Sequence, residues 1–354
     1  MESSSGQSAE SSGFNVVAIG GGTGLSTLLR GLKLWVPHED GRREREGHRI
    51  RHLTAIVTVT DDGGSSGRLR AELGVPPPGD IRNCMTALSE DEALMSRLFQ
   101  YRFSHGEGLE GHSFGNLFLT ALTQITGDFA HAVKLSSAIL KTRGEIYPAT
   151  NANVGLEARM DDGSRVRGET RITASRKRIV RLELVPPDAE PLPAAVQALG
   201  TADIITIGPG SLFTSVLPNL LVHGLADALR RSRALKVCIG NLMTQANESL
   251  DLTAAQHIEM IFEHCHGRLF DYVMLNDTPV TDEMRRAYAA EHATQTANDL
   301  EHIRALGVEP LCGPYLETCM PARHRAERVA ADVLALAERV RDQAPRAVAR
   351  ASRS

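Results

Sequence analysis

Aromatic residues are scarce in this sequence, and there is no excess of positive charge. Phe, Trp and Tyr together make up 4% of the chain, and the formal net charge at pH 7 is −4. Proteins that bind nucleic acid usually present a basic surface to the phosphates, and those that bind single strands also offer aromatic rings for base stacking. The composition therefore argues against nucleic acid as a partner.

Cysteine is also rare, and its spacing is uninformative for metal or disulfide chemistry. The five cysteines never form a C-x-x-C pair. An odd number at wide spacing fits neither a disulfide framework nor a zinc cluster. We therefore expect a reducing compartment.

Long apolar runs are missing as well. The N-terminal stretch MESSSGQSAESSG is polar and lacks the apolar centre of a signal peptide. No segment approaches the ~20 apolar residues of a membrane-spanning helix. These features predict a cytoplasmic protein without a membrane span, and a disordered N-terminus over residues 1–13.

The apolar pattern that is present alternates between short buried strands and amphipathic helices. Apolar runs at 16–19 and 53–60 predict strands, and a strand–glycine–helix unit begins again at 202. Helices are predicted over 85–103, 116–140, 281–306 and 322–342. This alternation predicts an α/β fold, a Rossmann-like doubly wound and mostly parallel sheet.

One stretch departs from this alternation. Over 153–185 apolar and polar residues alternate around a turn at Asp162 and Gly163, which predicts a small antiparallel β excursion. The charged segment 36–52 is expected to be an exposed loop. We expect one domain over 14–342 that includes the excursion, followed by a flexible tail over 343–354.

Two glycine-rich turns follow predicted strands. In doubly wound sheets, ligands bind beyond the carboxyl ends of the strands. Glycine lets backbone amides approach an anion, and a helix start favours negative charge. The first turn fits neither the dinucleotide fingerprint nor the Walker loop, so it predicts a phosphate site without naming the nucleotide. The two turns comprise Gly20, Gly21, Gly22, Thr23, Gly24 and Leu25, and then Gly208, Pro209, Gly210 and Ser211.

A pair of adjacent aspartates, Asp61 and Asp62, follows the second predicted strand. Three interpretations stay open from the sequence. The pair is a structural Asp-Gly turn, a contact to ribose, or a set of magnesium ligands that Asp80 joins. Asp80 and Asn83 open a helix after a proline-rich approach, where Asp80 is also a candidate N-cap.

Further polar residues follow other predicted elements. Arginines near the aspartates are either phosphate ligands or surface charges, and no Ser-His-Asp order, G-x-S-x-G elbow or H-E-x-x-H motif occurs. The candidate ligand contacts are Gly115 and Asn116 at a helix start, and Asn241, Met243 and Thr244 after a later strand.

Five motifs in a fixed order carry a family resemblance. They are AIGGGTGLSTLLRGLK, TAIVTVTDDGGSSGRLR, GVPPPGDIRNCMTALSE, GHSFGNLFLTALTQITGDF and ADIITIGPGSLFTSVLPNLLV. Together they resemble the bacterial gluconeogenesis factor family of the YvcK type, part of the CofD-like superfamily related to 2-phospho-L-lactate transferase. The similarity extends from about residue 14 to about residue 340.

The resemblance implies a cytoplasmic, Rossmann-like protein that binds UDP-sugars, notably UDP-N-acetylglucosamine. It also implies a link to cell shape and peptidoglycan synthesis during growth on gluconeogenic carbon sources. Phosphate contacts then fall on the glycine turns, and contacts to the nucleotide-sugar fall on Tyr288 and Arg323. Asp61 and Asp62 correspond to ligand or magnesium contacts.

Two departures from the family pattern bear on the chemistry. The insertion at 36–52 is longer than usual, and Thr58, Val59 and Thr60 precede the aspartates where the transferases carry Asn-Thr-Gly. The second departure argues against a deazaflavin acceptor.

The first hypothesis is a regulatory nucleotide-sugar-binding protein that catalyses no reaction. In it Asp61 or Asp62 fixes ribose or a metal, and Mg²⁺ is the one candidate cofactor. The protein would act through an envelope-synthesis protein, with a homodimer as a candidate assembly. The second is a magnesium-dependent phospho-group transferase. The third is an NAD-dependent oxidoreductase, which the imperfect fingerprint disfavours.

Overall fold

The fold is built on a seven-stranded sheet in which all neighbouring strands run parallel. In the computed structural model, residues 13–38, 49–90, 94–175, 177–246 and 248–351 are described. The strands are β1 (Phe14–Gly20), β2 (Ile50–Val57), β3 (Glu145–Pro148), β7 (Ile204–Ile207), β8 (Leu235–Ile239), β9 (Tyr272–Asn276) and β10 (Glu309–Gly313). Their spatial order is β10-β9-β8-β7-β1-β2-β3. The predicted Rossmann-like parallel sheet is confirmed.

Strand order reverses at β1, which pairs with β2 on one side and with β7 on the other. In open parallel sheets such a reversal leaves a crevice between the loops that follow the two strands. Strands β1 and β7 at the centre of the sheet are almost wholly buried and rich in Ile and Val, as expected for a sheet covered on both faces.

Helices flank the sheet, and several differ in extent from the sequence prediction. They are α1 (Gly22–Lys33), α2 (Gly64–Leu73), α3 (Gly79–Leu88), α4 (Leu94–Gln100), α5 (Phe114–Thr126), α6 (Phe129–Ile139), α8 (Pro193–Thr201), α9 (Leu217–Leu220), α10 (Leu225–Arg231), α11 (Ala254–His264), α12 (Asp282–Ala289), α13 (Leu300–Ala305) and α14 (Ala326–Ala351). A π-helical turn over Leu212–Val216 precedes α9.

Three predicted helices each prove to be two. The segment 116–140 breaks because Gly127 adopts a left-handed φ of 70° at the end of α5, and Asp128 then accepts a hydrogen bond from His131 N–H at 2.6 Å as the cap of α6. The segments 85–103 and 281–306 likewise divide into α3 with α4 and α12 with α13. The apolar periodicity continues across such breaks, so the sequence pattern did not predict them.

The antiparallel excursion is confirmed as a separate three-stranded sheet. It consists of β4 (Gly155–Met160), β5 (Arg165–Arg167) and β6 (Ile179–Val185), in the order β5-β4-β6. A short helix, α7 (Glu169–Ala174), lies between β5 and β6 in the chain and was not predicted. A small ribbon joins β11 (Leu316–Glu317) to β12 (Arg323–His324).

The ends of the chain and the charged insertion are only partly described. Residues 1–12, 39–48 and 352–354 lie outside the described residues, and most of the predicted N-terminal disorder and exposed loop falls there. Helix α14 begins later than the predicted 322–342 helix and continues through 343–351, where a flexible tail was expected. The single domain over 14–342 stays a prediction.

In the part of the chain that the structure describes, no single helix is long and apolar enough to cross a membrane. One bent pair, Leu212–Leu220 with Leu225–Arg231, reaches the necessary length and composition only when both are taken together.

Candidate functional site

A cavity of about 670 Å³ opens at the carboxyl edge of the sheet, where the loops after β1, β2, β7 and β8 meet. Segments around 288–293 and 321–324 complete its wall. The sequence-predicted residues in its lining are Gly21, Gly22, Thr23, Gly24, Asp61, Asp80, Pro209, Gly210, Ser211, Asn241, Met243, Thr244, Tyr288 and Arg323.

The other predicted residues lie outside this lining, and several of them contact other parts of the protein. The side chain of Asn116 donates to Ser66 Oγ at 3.3 Å, and that of Asn83 accepts from Arg82 at 2.8 Å. Leu25 is fully buried in the core. The predicted residues outside the lining are Gly20, Leu25, Asp62, Asn83, Gly115, Asn116 and Gly208.

The first glycine turn makes close contact with the second. A Cβ atom added to Gly24 would lie 2.4 Å from the carbonyl oxygen of Pro209. A Cβ on Gly21 would lie 2.7 Å from Asp80 Oδ2. Real side chains do not approach so closely, so Gly24 has to be glycine for the two turns to lie side by side, and Gly21 for the first turn to lie against Asp80. The sequence placed the turns on one edge, and the structure brings them into contact.

The adjacent aspartates diverge. Asp61 lines the cavity, and its Oδ1 accepts the Gly63 N–H at 2.8 Å. Asp62 faces away, where its Oδ1 accepts both the N–H of Thr170 at 2.8 Å and the Thr170 hydroxyl at 2.7 Å. Asp62 therefore caps the start of α7 from a distant part of the sequence, and the two carboxylates do not share one ligand.

Acidic side chains converge on one part of the cavity. Burial, together with the nearby charges of Asp61 and Asp80, raises the pKa of Glu169 to about 9. Burial likewise raises the pKa of Asp80 to about 6, against the lowering effect of a hydrogen bond from the Gly22 amide. At neutral pH Glu169 thus carries a proton and can donate as well as accept a hydrogen bond.

Another part of the lining is formed by Tyr288 and the β12 ribbon. The Tyr288 hydroxyl accepts the N–H of Ala322 at 2.9 Å, which fixes the segment that carries Arg323. His324 Nε2 donates to the carbonyl of Gly240 at 3.1 Å, and burial lowers the pKa of His324 to about 4, so this ring is neutral. A small apolar cluster around Met243 and Met284 supports this wall.

Several lining residues were missed by the sequence analysis. Glu169 and Thr173 come from α7 in the antiparallel excursion, and nothing in the local pattern marks them. Gln245 and Glu248 follow the predicted contacts after β8 by a few residues, so extending that loop would have found them. The missed polar lining residues are Glu169, Thr173, Thr214, Ser215, Gln245, Glu248, Glu291 and His324.

The acidic side chains do not fit a metal ion held by the protein alone. Across the described ranges, no group of three or more His, Cys, Asp or Glu side chains is arranged to bind one ion. The predicted magnesium pair is also divided, because Asp62 binds Thr170. We therefore derive no step that depends on a protein-bound magnesium ion.

Comparison with known proteins places the chain among relatives over most of its length. A profile of the family described as "2-phospho-L-lactate transferase CofD" matches residues 16–316. The chain is 46% identical over 321 residues to a protein of Halalkalibacterium halodurans named "Gluconeogenesis factor", covering 90% of this chain and 95% of that protein.

A second relative and a solved structure also match most of this chain. A Bacillus subtilis protein named "Gluconeogenesis factor" is 48% identical over 294 residues, covering 83% of this chain and 88% of that protein. A crystal structure of a member of the UPF0052 family from Bacillus halodurans superposes with a TM-score of 0.85 at 45% identity, covering 91% of this chain and 99% of that one. The chain therefore belongs to the CofD family and, within it, to the gluconeogenesis factor group of the YvcK type.

Proposed function

We propose that this chain is a regulatory protein that binds a nucleotide-sugar of the UDP-N-acetylglucosamine type. In this proposal it acts in the cytoplasm, reports the supply of envelope precursors, and supports cell shape and peptidoglycan synthesis during gluconeogenic growth. It does so by contact with an envelope-synthesis protein rather than by catalysis, and a homodimer is its candidate assembly.

One observation carries the proposal: the cavity lies at the topological switch point between β1 and β7. Its glycine turns are those that follow these two adjacent strands. Mononucleotide and dinucleotide ligands bind at this position in open parallel sheets. The volume of about 670 Å³ is within the usual range for a small-molecule site.

The chemistry of the lining suits the three parts of a nucleotide-sugar. Amides at the start of α1 suit the diphosphate, because the helix start favours negative charge. Arg323 supplies a cation, and Tyr288 supplies a flat ring for the nucleoside. Asp61, Asp80 and the protonated Glu169 suit the hydroxyl groups of a sugar, which both donate and accept hydrogen bonds.

Calorimetry with UDP-N-acetylglucosamine, GDP and NAD, each with and without magnesium, tests the proposal. We expect micromolar binding of the UDP-sugar, unchanged by chelation of magnesium, and no new ³¹P NMR signal after prolonged incubation. Binding of GDP alone, and only with magnesium, would refute it.

The alternative function is a magnesium-dependent phospho-group transferase of the 2-phospho-L-lactate transferase type. The family match over residues 16–316 favours it. The diverging aspartates and the lack of a three-residue metal group in the described chain weigh against it. A new ³¹P signal that appears only with magnesium and a phospho-donor would establish the transferase.

A further inference from the structure

The two glycine turns look equivalent in sequence, but the starts of the helices that follow them differ. Helix α1 has no side-chain cap and no acidic residue in its first turn. The first backbone hydrogen bond of this helix runs from the Leu25 N–H to the Gly21 carbonyl. The amides of Thr23 and Gly24 therefore precede the hydrogen bonds within the helix. Thr23 is exposed. The Gly22 amide is bonded to Asp80, and the Thr23 and Gly24 amides that follow it are accessible to a ligand anion.

The start of the second helix is already occupied by a carboxylate of the protein. One oxygen of Glu248, Oε1, accepts the N–H of Phe213 at 2.8 Å, the N–H of Thr214 at 3.0 Å and the Thr214 hydroxyl at 3.3 Å. Phe213 and Thr214 are buried, and Glu248 is only 9% exposed. The amides that would bind an anion here are thus satisfied within the fold.

Neighbouring contacts hold this arrangement together. The Gln245 side chain donates to Ser211 Oγ at 2.7 Å, so two side chains of one loop are bound to the second glycine turn. The pKa of Glu248 is raised to about 7, because burial raises it by more than the bonds from Phe213, Thr214 and Ser211 lower it. Above neutral pH the cavity wall therefore carries a fixed negative charge beside the second turn.

We infer that the Glu248 carboxylate takes the place of a ligand anion at the second glycine turn and determines which ligands the cavity accepts. Ligand phosphates bind at the start of α1, and the group that lies beside Ser211 and Thr214 is uncharged, such as a glycosyl residue. This inference rests on the proposed nucleotide-sugar function and specifies its ligand class: a nucleoside diphosphate joined to a neutral group. A further phosphate in that place would face Glu248 with like charge and without free amides.

The test compares UDP-N-acetylglucosamine with UTP by calorimetry at pH 8 in the presence of EDTA. We expect the wild type to bind the UDP-sugar at least about tenfold more tightly than UTP, a difference of ~1.4 kcal/mol. In Glu248→Gln, which keeps an amide oxygen for the Phe213 and Thr214 amides, UTP affinity should rise about tenfold relative to UDP-sugar affinity. The melting temperature of the variant shows whether it is folded.

Glu291→Gln is the matched control, because Glu291 also lines the cavity but is exposed, whereas Glu248 is buried. It removes the same charge and should shift both affinities by one common factor. If Glu248→Gln changes the affinities for UTP and the UDP-sugar by the same factor, or if the wild type binds UTP more tightly, the inference is wrong. Neither result would contradict the proposal that the protein binds a nucleotide-sugar.

A parallel comparison of GDP-mannose with GTP separates the two proposals. If uridine ligands fail to bind while the wild type prefers GDP-mannose to GTP and Glu248→Gln loses that preference, the proposed UDP-sugar function is wrong and the role of Glu248 stands. If no nucleotide binds either protein, both are wrong.

Discussion

Asp62 caps helix α7 through Thr170, with one carboxylate oxygen accepting both the backbone N–H at 2.8 Å and the hydroxyl at 2.7 Å. The two residues are 108 positions apart in the chain. This contact joins the aspartate loop after β2 to the antiparallel excursion, and it places Glu169 and Thr173 in the cavity wall. It also explains how adjacent aspartates coexist, since only Asp61 faces the cavity.

Asp62→Ala should destabilise the protein by about 1–2 kcal/mol, because the start of α7 loses its acceptor. Thr170→Ala should cost less, since the backbone N–H still reaches Asp62. Urea unfolding of both single variants and the double variant measures the coupling, which we expect to be about 1 kcal/mol. Strictly additive effects would show that the bond from the Thr170 hydroxyl to Asp62 contributes nothing to stability.

Asp62→Ala should also weaken nucleotide-sugar binding, although Asp62 is outside the cavity lining. The reason is indirect: a loosened α7 displaces Glu169 and Thr173. Calorimetry should show a loss of about tenfold or less, smaller than the loss in Asp61→Ala. A larger effect at Asp62 than at Asp61 would indicate direct ligand contact by Asp62.

Gly24→Ala should disrupt the switch point. The added Cβ would lie 2.4 Å from the Pro209 carbonyl oxygen, so the two glycine turns must separate. We expect a loss of about 2 kcal/mol or more in the free energy of unfolding and no measurable nucleotide-sugar binding. Gly200→Ala, where nothing lies within 4 Å of the added Cβ, is the control and should leave both unchanged or raise stability slightly.

Glu169→Gln should change how stability depends on pH. The folded protein holds the Glu169 proton up to about pH 9, whereas the unfolded chain releases it near 4.5. The folded state therefore binds more protons between these values, and wild-type stability falls as pH rises through this window. The Glu169→Gln variant has no carboxyl group at this position, so its stability does not fall for this reason.

Thermal unfolding from pH 4 to pH 9 measures the effect. We expect the two proteins to have similar stability near pH 4 and the variant to be more stable by about 2 kcal/mol or more at pH 8. Glu301→Gln, which removes an exposed carboxylate of α13, should follow the wild-type curve. A Glu169→Gln curve that parallels the wild type would mean that Glu169 is ionised at neutral pH.

Tyr288→Phe should lower nucleotide-sugar affinity without removing the ring from the cavity. The variant leaves the Ala322 N–H without the acceptor that the Tyr288 hydroxyl provides at 2.9 Å. The segment that carries Arg323 should then become more mobile, and we expect about tenfold weaker binding by calorimetry. Tyr101→Phe, at an exposed tyrosine, is the control. Unchanged affinity in Tyr288→Phe would show that this hydrogen bond does not position Arg323.

The sequence by itself determined the parallel sheet and the general position of the cavity. Short Ile- and Val-rich runs are typical of strands covered on both faces, and parallel strands bring the residues after them to one edge. That reasoning placed both glycine turns and Asp61 together. The same pattern could not show where helices break, because Gly127 interrupts an apolar periodicity that continues beyond it.

Only the tertiary structure decided which of the adjacent aspartates faces the cavity and which other side chains line it. Neighbours in sequence can point in opposite directions, and the acceptor role of Asp62 depends on a helix 108 residues away. The same holds for Glu248, whose carboxylate fills a helix start 34 and 35 residues earlier in the chain. A glycine-rich turn in the sequence predicts an anion site. Whether the backbone amides of that turn remain free depends on long-range contacts, which a local sequence pattern does not show.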